Sequence, residues 1–138
     1  MTIAVDFDGT IVEHDYPRIG KEKPFALETL RMLMADGHKL ILWTARDGER
    51  LQEAVEFCRR GGVEFYAINS NTPQSGLSFG SNGLSSKVTA DVYIDDRNIG
   101  GIPDWGTIYE IIAGKRAEKR ERYRRKKSLR ERLRKLFR

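Results

Sequence analysis

The stretch IAVDFDGTIV, residues 3–12, runs apolar into two carboxylates, Asp6 and Asp8, and turns at once through Gly9 and Thr10. Residues 2–7 read as a short buried strand. Residues i and i+2 of an extended chain project to the same side, so Asp6 and Asp8 share one small region. Joined there by Asp95 or Asp96 from a neighbouring strand, three or four carboxylates do not all stay ionised unless a cation neutralises them or protons are retained.

Downstream, the same alternation of apolar runs and turns recurs. Residues 25–35 place Ala26, Leu30, Leu33 and Met34 at helical spacing, with Pro24 at the expected first turn and Gly37 past the end. KLILWT, residues 39–44, is a strand-length apolar run, and Leu51, Ala54, Val55 and Cys58 mark a second amphipathic helix closed by Gly61 and Gly62. A third strand falls at 65–69. Residues 70–86, SNTPQSGLSFGSNGLSS, read as a loop. Lys87 and Val88 lead into ADVYIDD, a fourth strand that again ends in acid, and a helix covers 105–113. Strands alternating with helices predict an α/β fold: a three-layer, Rossmann-like parallel sheet with helices on both faces and right-handed crossovers. Ligands of such sheets bind at the carboxyl ends of the strands. Asp6, Asp8, Thr44, Asp95 and Asp96 all fall there.

At 138 residues the chain has the length of one domain. No apolar stretch reaches the length of a membrane span, and no leader-like segment opens the chain. The single cysteine, Cys58, reads as a buried thiol and fits a reducing, cytoplasmic setting. The net charge of +5 is unevenly spread. Residues 115–138 hold fourteen Lys and Arg against three Glu, a local +11, and the remaining chain carries −6. An acidic body with a basic tail calls for an anionic partner.

Carboxylates converging from two strands suit a hard divalent ion, and Mg²⁺ fits best, completed by a backbone carbonyl and waters. With a lysine and a threonine aimed at the same place, the set reads as a phosphoryl site. The cation and hydroxyl meet the phosphate oxygens. One aspartate attacks phosphorus, and a second protonates the leaving oxygen and later activates water.

These residues carry a resemblance. VDFDGT is similar to the first motif of the haloacid dehalogenase-like phosphatase superfamily, ILWTAR to its second, Lys87 to the lysine of its third and YIDD to its fourth. The likeness covers residues 1–113; residues 114–138, continuing from the last helix, read as a basic amphipathic C-terminal helix or tail. It implies a Mg²⁺-dependent phosphomonoester hydrolase with Asp6 as nucleophile, Asp8 as acid/base, Thr44 on the phosphate and Lys87 balancing charge. It also implies a metal held by Asp6, the Asp8 carbonyl and either Asp95 or Asp96. Gly9, Thr10, Ala45 and Arg46 are the implied substrate-side residues. Neither 11–23 nor 70–86 is long enough for a folded cap, so the chain resembles a small capless bacterial group with an open site, or one covered by a second subunit.

Plainer readings stand beside these. Arg46 either grips a second anionic group or pairs with Asp47 or Glu49 at the surface. His14, Asp15 and Asn69 read as loop residues, with a site role as the alternative, Arg97 and Asn98 as loop stabilisers, and Trp43 and Trp105 as core. Lys21, Lys23 and Lys39 are alternatives to Lys87. In the tail, Leu129, Leu133, Leu136 and Phe137 fall at helical spacing on a basic helix about 36 Å long. Anionic lipid, nucleic acid, a second subunit in a homo-oligomer and packing on its own domain are the candidate destinations of that stripe. Two other functional classes compete: a phosphoacceptor receiver domain, and a nucleic-acid or membrane-binding protein with a vestigial site.

Overall fold

The computed structural model describes residues 1–73 and 87–138. In chain order they form β1 (Thr2–Val5), α1 (Ala26–Ala35), β2 (Lys39–Leu42), α2 (Gly48–Arg60), β3 (Ala67–Ile68), β4 (Val92–Ile94) and α3 (Trp105–Leu136). The expected order of elements is present, with each strand shorter than its apolar run. The four strands make one parallel sheet in the order β3-β2-β1-β4. Val5 pairs with Leu42 on one side and Ile94 on the other, so three strand ends stand level.

Alternation along the strands divides the core. Ile3, Val5, Leu40, Leu42 and Ile94 join the larger cluster, together with Leu30 and Leu33 of α1, Leu51, Ala54 and Cys58 of α2, and Trp105, Ile108 and Ile112 of α3. Ala4, Ile41 and Ala67 point the other way and meet Val88, flanked by Trp43, Ala90 and Tyr93. All three helices of the described residues therefore lie on one face. The helices expected on the opposite face are not found among the described residues. Residues 74–86, most of the expected loop between β3 and β4, lie outside those residues.

Local chemistry sets the helix ends. The first N–H groups of α1 need acceptors, and Glu22 accepts from the Leu27 N–H at 2.9 Å. Gly37, at φ +87°, adopts the left-handed turn that ends the helix. Asp104 caps α3 by accepting from the Thr107 N–H at 2.9 Å.

The basic tail continues the helix that begins at Trp105: α3 runs unbroken for 32 residues, about 48 Å. Only its beginning is buried, at Trp105, Ile108 and Ile112. An ion pair, Lys119 Nζ to Asp91 Oδ1 at 3.0 Å, ties the next stretch to the foot of the sheet. From residue 117 onward every residue is exposed. Leu129, Leu133, Leu136 and Phe137 show 58, 43, 78 and 88% exposure, so the stripe does not pack on its own domain.

Candidate active site at the carboxyl edge of the sheet

In this strand order the chain moves from β1 to β2 to β3 in one direction, then returns to place β4 on the far side of β1. The reversal leaves a crevice at the carboxyl ends of β1 and β4, where open parallel sheets bind ligands. Asp6 leaves β1 there and Asp95 and Asp96 leave β4. The pairing continues one step beyond the strand, with the Asp6 N–H donating to the Ile94 carbonyl at 3.0 Å.

Phe7, fully buried and edge-on to Phe57 with centroids 6.0 Å apart, points into the core between the two aspartates. The turn then closes tightly, with the Gly9 N–H on the Val12 carbonyl at 2.7 Å. Gly9 sits at φ +84°, and a Cβ there would collide with His14 Nε2 and Asp96 Oδ2. Only glycine fits both the backbone and the space.

Thr10 joins the two strand ends. Its buried hydroxyl lies 3.0 Å from Asp6 Oδ2 and 3.1 Å from Asp96 Oδ1, and accepts from the Asp96 N–H at 3.0 Å. Its carbonyl accepts from Trp105 Nε1 at 3.1 Å, which fixes the start of α3 to the same turn. Thr10 thus orders the carboxylates from beneath.

Asp6, Asp95 and Asp96 each offer an oxygen within 4.8 Å of the others. Burial first, then the hydrogen bond with Asp96 and the nearby charge of Asp95, pushes the Asp6 carboxyl up to about 7, with Thr10 opposing. For Asp96, burial works upward but is outweighed by hydrogen bonds from His14, Asp6 and Thr10, so its carboxyl is held below the usual range. Three carboxylate oxygens gathered this closely are ligands that a hard divalent cation takes, and the all-oxygen donor set suits Mg²⁺.

The carboxylate of Asp8 stands outside that cluster. Arg46 Nε reaches Asp8 Oδ2 at 2.7 Å and Nη2 reaches Oδ1 at 2.8 Å, a bidentate pair. Arg46 also donates to the carbonyls of Arg18 at 2.8 Å and of Pro17 and Arg50 at 3.3 Å, and its guanidinium lies 5.1 Å from the ring centres of Phe7 and Tyr16. Its side chain is 1% exposed. The reading of Arg46 as an exposed partner of Asp47 or Glu49 is therefore corrected: the side chain is buried, and its donors face Asp8 and the backbone. The like charges of the opening stretch are separated too: Asp8 is met by Arg46, and Asp6 by the Thr10 hydroxyl.

Asp6, Asp8 and Asp95 line a cavity of about 760 Å³ with Trp43, Thr44, Ala45 and Arg46 on its second wall and His14, Tyr16 and Arg97 at its edge. The Thr44 N–H donates to Asn69 Oδ1 at 2.8 Å, and its hydroxyl accepts from the Arg46 N–H at 3.1 Å. Asn69 takes a left-handed backbone, φ 49°, to make that bond. Lys87 keeps its place ahead of β4 but is not among the cavity's lining residues; its ammonium stands 5.5 Å from the Tyr93 ring centre. A larger groove, about 920 Å³, runs along α2 past Arg18, Leu51 and Val55, away from the carboxylates.

Three roles were under-read in the sequence: His14 holds Asp96 at 3.1 Å, Asn69 positions Thr44, and Arg97 stands exposed on the cavity wall. His14 lies in the turn after the first motif and Asn69 ends the third strand's run, the signals available beforehand. Cys58 is buried as expected, and burial pushes its thiol up to about 12, leaving it unreactive.

Fold and site together define a parallel α/β protein with an acidic cluster at the switch point of its sheet. No protein-family model matches the chain, and no curated protein matches it. A solved structure does: a conserved protein from Bacteroides thetaiotaomicron, 61% identical, TM-score 0.76, over 83% of this chain and 91% of that one. The chain belongs to the same family as that conserved protein.

Proposed function

We propose that the protein is a Mg²⁺-dependent phosphomonoester hydrolase of the haloacid dehalogenase-like class, working through a phospho-aspartate on Asp6. One observation carries the reading: three carboxylates from β1 and β4 gather within 4.8 Å at the switch point, beside a cavity walled by Thr44.

In this reading Asp6 attacks phosphorus, the bond to the leaving oxygen breaks, and water then cleaves the aspartyl-phosphate. Asp8 is the acid/base: on releasing one arm of the Arg46 fork it takes a proton from solvent, gives that proton to the leaving oxygen and later takes one from the attacking water, while the remaining arm keeps it oriented. Thr44, held by Asn69, offers its hydroxyl to the phosphoryl oxygens, and Arg97 supplies positive charge at the cavity mouth. Lys87, ahead of β4, is the lysine this reading assigns to balancing charge on the phosphoryl group. Asp6 with Asp95 or Asp96 and the Asp8 carbonyl would hold the metal, which when bound screens the repulsion between an anionic nucleophile and an anionic substrate. The finer architecture proposed with it is a three-layer, capless α/β hydrolase acting in the cytoplasm, with an open site.

The test is turnover of p-nitrophenyl phosphate with Mg²⁺ and with chelator, followed by a panel of phosphorylated metabolites and nucleic-acid ends. Turnover that needs Mg²⁺ supports the reading. A single stoichiometric phosphorylation without turnover points to a receiver domain instead, and no reaction on any substrate overturns the hydrolase.

A further inference from the structure

The exposed end of α3 has no role in that chemistry. Residues 122–138 hold ten Lys and Arg and one Glu. They belong to the part of the helix, from 117 onward, that is exposed throughout. At about 100° per residue, Leu129, Leu133, Leu136 and Phe137 fall within one arc of roughly 100°. Arg130 and Arg132 flank the arc on its two sides. Glu131, the one acid, lies opposite it. This is a helix with an apolar stripe, cationic margins and its negative charge turned away.

We propose that this segment docks on the surface of an anionic phospholipid bilayer. It lies in the plane of the headgroups, with the three leucines and Phe137 in the acyl boundary and the flanking arginines on the lipid phosphates. Toward the body the stripe is continued by Lys126 and Arg122, whose aliphatic stems follow the apolar surface while their charges reach the phosphates. No helix among the described residues is long and apolar enough to cross a membrane, so the segment rests on the surface.

Charge and shape choose this occupant over the others. In a coiled coil with a second copy, Lys126, Arg122 and Lys119 fill the seam ahead of Leu129, so cations would be buried against each other or against leucine. Nucleic acid would use the arginines and leave four large apolar side chains in water. A lipid phosphate surface uses both halves of the helix. The segregation of charge fits as well. Residues 1–114 carry −6 and would be repelled by such a surface, and the exposed stretch 117–136 sets the docking end about 30 Å out along the helix.

The experiment is co-sedimentation of the full chain with vesicles of equimolar phosphatidylglycerol and phosphatidylcholine, and with phosphatidylcholine alone. The mixed vesicles are expected to bind at least about tenfold better. Leu129→Ser, Leu133→Ser and Leu136→Ser together change only exposed side chains and should weaken that binding by roughly tenfold or more. Phe137→Trp should add emission, over that of the wild type, that shifts to the blue on the mixed vesicles. Unchanged binding by the triple-serine variant, or unshifted emission from the introduced tryptophan in the bound chain, would overturn the docking geometry. Failure to bind either vesicle would overturn the proposal outright, and two further readouts then name the occupant: retention on single- or double-stranded RNA, or a concentration-dependent dimer that the serine changes abolish. None of these readouts depends on phosphatase activity.

Discussion

Arg46 and Asp8, 38 residues apart in the chain, form a bidentate ion pair at 2.7 and 2.8 Å inside the wall of the cavity. The arginine joins the second strand's exit to the turn after the first, because it also holds the carbonyls of Pro17 and Arg18. An interaction that spans three segments at once is structural as well as local. Removing either partner leaves the other charge desolvated.

The first prediction follows from that. Arg46→Ala should lower unfolding free energy by about 3–5 kcal/mol, the usual cost of stranding one member of a buried pair. Arg46→Lys keeps the charge but loses the planar fork, so it should recover only part of the loss. Chemical denaturation of both variants gives the comparison. A loss within error for Arg46→Ala would show the pair to be worth no more than a surface bridge.

Asp6→Asn should abolish turnover while sparing the fold. The residue sits past the end of β1, and its partners Thr10 and Asp96 can still hydrogen-bond an amide. Circular dichroism should be unchanged while product formation falls by several orders of magnitude. Retained turnover would reassign the nucleophile.

Metal should stabilise the folded chain in proportion to its binding. At a Mg²⁺ concentration a hundredfold above the dissociation constant, the gain is about 2.7 kcal/mol. Chelator should return the melting temperature to its metal-free value, and Asp95→Asn should shrink the rise. A melting temperature indifferent to Mg²⁺ in the wild type would remove the metal from the site.

His38 makes acid sensitivity measurable away from the site. Burial first, then the nearby positive charges of the Met1 amine and Arg116, lowers its ring below the ordinary 6.5, with Asp36 opposing. The folded state thus binds the proton less well than the unfolded chain. Its stabilising contribution is complete above pH 6.5 and is lost as pH falls through the folded value. His38→Gln should flatten the stability profile between pH 7 and 5. An unchanged slope would place that acid sensitivity elsewhere.

Much of the site was legible because its residues mark strand ends, and strand ends follow from apolar runs and turns. Asp6, Thr44 and Asp95 were placed on one cavity by that logic alone. The partners of those residues were not legible. Thr10 and Asp96 lie 86 positions apart, and their hydrogen bond exists because β1 and β4 are neighbours in a particular register. Nothing in the spacing of Asp6 and Asp8 distinguishes a pair sharing one cation from a pair in which Asp8 is held by Arg46 and Asp6 by Thr10.

By itself the sequence determined the order of strands and helices, the buried face of each, the acidic ends of β1 and β4, and the separation of an acidic body from a basic tail. These depend on periodicity, turn residues and charge count, which are properties of short segments. Only the tertiary structure decided which side chain meets which: Arg46 turned inward to Asp8, Thr10 bridging two strand ends, Lys87 over Tyr93, and the leucine stripe of α3 left in solvent. Those outcomes depend on strand register and on the direction each side chain takes from its backbone, and both are set by packing across the whole domain.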